Sequence, residues 1–250
     1  MNKNLNLELQ QGFSLVEMAI VLVILGFVMG ALLLPLQAQR NQLAQSQTEN
    51  TLETAKKALL GYAQSQGRLP CPATANGTAA FPDDSAVSNP VAGGACAVQI
   101  GFLPAATLGI QPTDTQGFAL DAWGNRIRYG VTQINSGGVA TPDFTTSSDM
   151  ATVGISTLAP DIRICASSTV ASCSATINLT NNAVAVVYSL GATGAQASGG
   201  GDENANLNAD TVFVSHELRI NDPNGEFDHM LVWVSPYTLY NAMIEAGQLH

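Results

Sequence analysis

The sequence predicts an α+β fold: one long N-terminal helix packed on an antiparallel β-sheet, with irregular loops pinned by disulfides. Three observations carry this. An apolar run, Met18–Leu36, flows without a break into a helix-forming stretch that ends at Gln66. From Asn125 onward, short β-like runs recur between turn residues. Four cysteines, Cys71, Cys96, Cys165 and Cys173, lie in the loop-rich remainder.

The nineteen residues Met18–Leu36 carry no charge, and as a helix they span roughly 28 Å, about a bilayer core. The run is too long for a cleaved secretory h-region, and Leu36-Gln37-Ala38 is a poor cleavage site, so a retained membrane segment is expected. Gln37–Gln66 continues the helix with good formers and no proline. Its last turns place Leu52, Ala55, Leu59, Tyr62, Ala63 and Gln66 at i, i+3, i+4 spacing, and the first five form an apolar stripe suited to docking on a globular part. Gly67 and Pro70 end it. One helix of about 54 residues, roughly 80 Å long, is therefore expected over Phe13–Gln66, with a kink or unwound stretch around Gly26–Pro35. The predicted organisation is residues 1–12 as a polar stretch, 13–36 as the apolar half of the helix, 37–66 as its amphipathic half and 67–250 as a globular α+β domain.

Leu69–Gly117 is rich in Pro, Gly and Ala and reads as a long irregular connection. Strands are expected at Ile127–Thr132, Ile162–Ala166, Ala183–Leu190, Thr211–Glu217 and Met230–Val234, the last four as an antiparallel meander. Ser235-Pro236 supplies an N-cap and a proline at the first helical position, so a short helix bearing Leu239, Met243 and Ala246 follows, ended by Gly247. The four cysteines allow three pairings. Cys71–Cys96 and Cys165–Cys173 are expected because sequence-local pairs close short loops; four free buried thiols are the alternative.

Charged residues make up 11% of the 250, against roughly 25% in an average soluble domain, and the formal net charge is −10. That balance argues against nucleic-acid binding, which needs Lys and Arg against phosphate. No CxxC, HExxH, GxSxG, P-loop or GxGxxG is present in context, and His216, His229 and His250 lie far apart. Asp83-Asp84 and Asp222…Asp228 read as turn residues rather than catalytic pairs. No enzyme is expected. The stretch from Gly199 to Asp210 is the best ligand candidate: Asp202, Glu203, Asn204, Asn206, Asn208 and Asp210 offer the oxygens a calcium ion takes, on a glycine-bearing backbone, although the spacing is not an EF-hand. A solvated polar loop is the alternative.

Gly12-Phe13-Ser14-Leu15-Val16-Glu17, directly before the apolar run, resembles the class III signal of type IV pilins and type II secretion pseudopilins. The leader departs from the pattern, with Lys3 as its only basic side chain and an acid at Glu8. The resemblance implies a pilin-like fold, cleavage after Gly12 and N-methylation of Phe13 by a membrane-embedded aspartic peptidase. It also gives Glu17 a role. A carboxylate at the centre of a membrane helix costs roughly 2.5–3.5 kcal/mol, less near the interface. In a filament of staggered helices, the amine of a neighbouring Phe13 would meet Glu17 where a low dielectric strengthens the attraction. The alternative is an interfacial acid of an ordinary anchor. Asp121-Ala122-Trp123-Gly124-Asn125 resembles the D-P-W-G-N region of major pseudopilins, with Ala122 replacing proline. Ser189–Gly194 resembles their S-x-G-x-D-G loop, with Thr193 at the acid's position. These relatives carry a calcium site in the corresponding loop, which supports the calcium candidate.

The implied partners are identical or related pilin subunits, the prepilin peptidase, an inner-membrane assembly platform and, before assembly, membrane lipid. The implied location is the inner membrane with a periplasmic globular domain, then a cell-surface filament. The implied function is a structural pilus subunit. A minor pilin or secretion pseudopilin is the alternative, and a membrane-tethered binding or hydrolytic domain that never polymerises is the third reading.

Overall fold

A computed structural model describes residues 14–74, 95–138, 140–168, 173, 178–194, 201–208, 210–219 and 225–249, with the side chains of 31–38 outside that set. The chain divides into two compact units, Met1–Leu43 and Ala44–His250.

The first unit is the start of α1 (Leu15–Gln66). Its apolar side chains, among them Leu15, Leu22 and Phe27, are exposed. The backbone of α1 runs helical through Gly26–Pro35, so the expected unwound stretch is absent.

The second unit begins with the last turns of α1, whose buried stripe is Thr48, Leu52, Ala55, Leu59 and Ala63. Gln66 is exposed and Tyr62 half-buried, so the stripe is narrower than the sequence spacing suggested. Gly67, at φ +67°, ends the helix in the left-handed region, donating its N–H to the Ala63 carbonyl at 2.9 Å.

On this stripe lies a four-stranded antiparallel sheet in the order β1 (Ile100–Phe102), β2 (Arg128–Val131), β5 (Ala185–Ser189), β7 (Met230–Val234). Val131, Ala185, Val187 and Val234 share the core of the α1 stripe. The opposite face, with Val186 and Tyr188, packs on Ile162, Ile164 and Phe213 of a second sheet. That sheet has the order β4 (Asn178–Ala183), β3 (Ile162–Cys165), β6 (Val212–Val214). The result is three layers: helix, sheet, sheet. Short helices α2 (Ala105–Leu108), α3 (Asp149–Val153) and α4 (Gly201–Leu207) lie in the connections.

Three expectations about the strands and connections need correction. The last four expected runs do not form a meander: β3 pairs antiparallel with β4 and parallel with β6, while β5 and β7 belong to the other sheet. The expected single strand Ala183–Leu190 is also divided. Ala183 ends β4 in one sheet and Ala185 starts β5 in the other. All five β5 residues are buried because both faces are covered. Leu69–Gly117 is likewise not wholly irregular, since it holds β1 and α2. Gly101 is required there, as a Cβ would collide with the Ala73 carbonyl oxygen.

Disulfides join Cys71 to Cys96 and Cys165 to Cys173, with Cα separations of 5.3 and 5.6 Å. The C-terminal helix α5 (Pro236–Glu245) starts as its sequence dictates: Thr238 N–H donates to the Ser235 hydroxyl at 3.2 Å, and Pro236 opens the first turn. Leu239 and Met243 are buried, whereas Ala246 is exposed. Gln64 Nε2 donates to the Ala242 carbonyl and Gln248 Nε2 to the Gln64 carbonyl, both at 3.1 Å, tying α5 to α1.

Because Leu59 is fully buried in the α1 stripe, Leu59→Ala should destabilise the second unit by about 2–5 kcal/mol. Leu43→Ala, at an exposed position, should change stability by under about 0.5 kcal/mol. Denaturant titration of the detergent-solubilised chain checks both, and equal effects would contradict the assignment of the docking stripe.

Candidate functional site

Two places bring functional side chains together. The first is the start of α1. Ser14 donates its backbone N–H to Glu17 Oε2 at 2.9 Å, and Val16 donates its N–H to the Ser14 hydroxyl at 3.2 Å. This is a reciprocal capping box, with Ser14 as N-cap and Glu17 at the third helical position. The acid also sits at the positive end of the helix dipole. Glu17 is therefore engaged within its own chain. Gly12 and Phe13 lie outside the described residues. Among the described residues no helix is long and apolar enough to cross a membrane; the run Met18–Leu36 extends into positions 31–38, whose side chains are outside that set.

The second place is a buried polar network in the globular unit. Asp121 Oδ1 accepts the backbone N–H of Trp123 at 2.9 Å and of Asn125 at 2.8 Å, shaping the turn at Gly124. Its Oδ2 accepts the Ser189 hydroxyl at 2.6 Å. Asn125 Nδ2 donates to the Gly191 carbonyl at 2.6 Å, and Gly191 N–H donates to the Ser189 hydroxyl at 3.0 Å. The Asp121–Asn125 and Ser189–Gly194 motifs are thus two halves of one structure. Thr193 continues it, donating its N–H and hydroxyl to Asp228 at 2.7 and 3.0 Å.

Asp228 leads to an unexpected cluster. Its N–H donates to Glu203 Oε1 at 3.0 Å, and Glu203, Asp228 and His229 each bring a potential ligand atom within 4.8 Å of the others. All three are buried, and Glu203 Oε2 and His229 Nε2 have no hydrogen-bond partner. Burial raises the Glu203 pKa, with the Asp228 charge adding to it, and lowers that of His229 to about 4.

The donor chemistry decides what this cluster can hold. Asn206 Oδ1 accepts Val214 N–H at 2.7 Å, and Asn206 Nδ2 donates to the Val214 carbonyl at 3.0 Å, which fixes the amide's orientation. The same Nδ2 faces His229 Nδ1 at 3.2 Å. His229 Nδ1 must then accept, so the ring's hydrogen resides on Nε2 and that nitrogen has no lone pair for a metal. Two adjacent buried carboxyl groups beside a neutral imidazole suit a retained proton rather than a transition-metal ion.

The six residues of the calcium candidate are not brought together. Glycine and amide content suggested a loop, but Gly201–Leu207 is helical. Asp202 accepts Ser167 and Ser168 and pairs with His216. Glu203 and Asn206 point into the protein, Asn204 is exposed, and Asn208 and Asp210 bond to each other. Asp228, read as a turn residue, and His229, read as isolated, are the functional-type side chains that sequence reasoning missed. The adjacent acid and histidine entering a strand were the available signal. Asp83, Asp84, Asp222 and His250 lie outside the described residues.

The two opposite pKa shifts set a pH window. Glu203, raised from 4.5, contributes stability below that value and loses it as pH rises through its folded-state pKa. His229, lowered from 6.5 to about 4, contributes stability above 6.5 and loses it as pH falls through about 4. Melting temperature should decline on both sides; Glu203→Gln should flatten the alkaline decline and His229→Asn the acid one. Unchanged profiles in both variants would exclude these two groups as the cause.

Comparison with known proteins places the helix start. A family model described as the prokaryotic N-terminal methylation motif matches residues 9–33. No curated protein and no solved structure matches the chain. The chain therefore carries, across the boundary from its first residues into α1, the class III prepilin signal of type IV pilins and pseudopilins.

Proposed function

We propose that the protein is a structural filament subunit of the type IV pilin or pseudopilin kind, cleaved between Gly12 and Phe13, N-methylated at Phe13 and polymerised through α1. The observation that carries this reading is the methylation motif at residues 9–33, running into a helix that continues to Gln66 and there bears the stripe of a folded unit. A subunit of this design has one end for membrane and filament core and one end for surface. The Met18–Leu36 run serves first as the inner-membrane anchor and then as core packing between related subunits. Prepilin peptidase and an assembly platform act on the precursor, and the α+β unit faces the periplasm before reaching the cell surface. The role is structural rather than enzymatic.

One observation favours the secretion pseudopilin as a second reading. The two motifs that resemble major pseudopilins, at Asp121–Asn125 and Ser189–Gly194, are joined by Asp121–Ser189 and Asn125–Gly191 hydrogen bonds. That the two motifs form one hydrogen-bonded unit supports this reading.

Mass spectrometry of the chain from sheared surface filaments tests the processing. The expected product starts at Phe13 and carries one methyl group on its amine, and an intact leader in assembled material would overturn the reading. Glu17→Ala should leave membrane insertion unchanged while reducing filament yield, measured by fractionation and by quantifying sheared filaments. Filaments at wild-type abundance would contradict the Glu17–amine pairing.

A further inference from the structure

We propose that the free edge of β7 is a docking site for an extended segment of another polypeptide, bearing basic side chains among apolar ones and added as a further strand of the four-stranded sheet. The inference concerns the globular unit and does not depend on the assembly reading.

An exposed sheet edge presents unpaired backbone groups, and proteins blunt such edges with cover, charge, proline or a bulge. The two sheets have four edges, and three are managed. β1 is covered by Ala73, which exchanges two backbone hydrogen bonds with Phe102 at 2.8 Å. β6 is capped by Asn206, whose amide bonds both the N–H and the carbonyl of Val214 as a neighbouring strand would. β4 is polar, Asn-Leu-Thr-Asn-Asn-Ala, and its pairing with β3 carries register shifts of the bulge kind. Among the described residues β7 has none of these devices. It reads Met-Leu-Val-Trp-Val, with no charge and no proline, and among the described residues it pairs with β5 alone. Its first four residues are half-buried, whereas β5 beside it is wholly buried.

The space along that edge is shaped. Two adjoining cavities of about 440 and 380 Å³ follow β7, both touching Glu53, Leu231 and Val232. The first has Glu49 and Glu53 of α1 on its wall and Glu217 from the segment after β6. The second adds Lys56 and Trp233. Lys56 is the one lysine or arginine of these walls and lies 4.0 Å from Glu53. Of the two imidazoles on the first cavity, His216 lies 3.2 Å from Asp202, and burial keeps His229 neutral. Three acids against one paired lysine favour a cationic occupant, while Leu231 and Trp233 require apolar contact. Main-chain pairing supplies affinity in such strand addition and side-chain pockets supply selectivity.

A second copy of this chain is a poor donor. It has nine basic residues against nineteen acidic ones. Its close basic pairs are committed: Lys56-Lys57 lies inside helix α1 and cannot extend as a strand, Arg126 is paired with Asp114 at 2.7 Å, and Arg128 starts β2, which has a strand on each side. A different polypeptide is the occupant.

Fluorescence anisotropy of labelled eight-residue peptides with the full-length chain in detergent, at physiological salt, tests this. The probes are a peptide alternating valine and lysine, its valine–glutamate counterpart, and a valine–lysine peptide methylated on alternate backbone nitrogens. The valine–lysine peptide should bind, and both others should bind far more weakly. Glu49→Gln with Glu53→Gln should weaken the valine–lysine peptide roughly threefold to tenfold. Trp233 fluorescence should shift on binding, which a Trp233→Phe variant identifies against Trp123. Equal binding of the methylated and unmethylated peptides would overturn strand addition, and equal binding of the lysine and glutamate peptides would overturn the charge preference. Self-association of the chain that a Val232–Val232 disulfide (Val232→Cys) traps between copies would assign the edge to a second copy and overturn the choice of occupant.

Discussion

The globular unit depends on one packed line along α1. Ala55 and Ala63 are small enough for the sheet to approach the helix, while Leu52 and Leu59 fill the space on either side of them. The first sheet rests on this line through Val131, Ala185, Val187 and Val234. The second sheet rests on the first through Val186 and Tyr188. Thr48 extends the line with a polar contact: it is fully buried, and its hydroxyl accepts the Ala122 N–H at 3.1 Å. That single bond joins the helix to the turn at Asp121. From Asp121 the buried network passes through Ser189 and Gly191 to Thr193, Asp228 and Glu203. The helix thus positions both the apolar layers and the start of the polar network.

What was legible in the sequence was what local pattern encodes. The end of α1, strands β2, β3 and β7, and the capped start of α5 follow from periodicity, a glycine stop and a Ser-Pro signal. The methylation motif is legible because it is contiguous. What was missed depends on residues distant in sequence. β1 is three residues with a central glycine, and only the approach of Ala73 explains that glycine. β4 is polar because it lies at an edge, so it lacks a strand-like apolar rhythm. The switch of sheets at Val184 leaves no local mark, because Ala183 and Ala185 are both fully buried. α4 looked like a ligand loop because its glycine, acids and amides suit one. Its burial of Glu203 and Asn206 is set by Asp228 and Val214, which are 25 and 8 residues away.

The buried cluster and the closed β6 edge are linked through Asn206. One amide closes the β6 edge and, with its second hydrogen, sets the His229 tautomer. Beside it, His229 Nε2 and Glu203 Oε2 are without partners, and burial inclines Glu203 to hold its proton. Among the described residues no comparable arrangement guards β7, where residues of α1 form a wall beside the strand without pairing to it. A polypeptide that needed only solubility would gain from a lysine or proline within Met230–Val234. Their absence is expected where the edge is used.

The start of α1 poses a related question of what an exposed polar group exchanges when it is buried. Glu17 already accepts the Ser14 N–H, so it does not enter a filament core as an unbonded carboxylate. Under the proposed assembly, the arriving amine of a neighbouring Phe13 meets an acid held at a defined place by its own helix. The carboxylate has two oxygens, and Oε2 is the one engaged by Ser14. The pairing can therefore add to the capping box instead of replacing it. Pre-positioning in this way lowers the side-chain entropy lost on contact, and the retained backbone bond offsets part of the desolvation that a buried ion pair must overcome. The same acid that begins the helix can then set the register between helices, which explains why its position is tied to Ser14 three residues before it rather than to the centre of the apolar run.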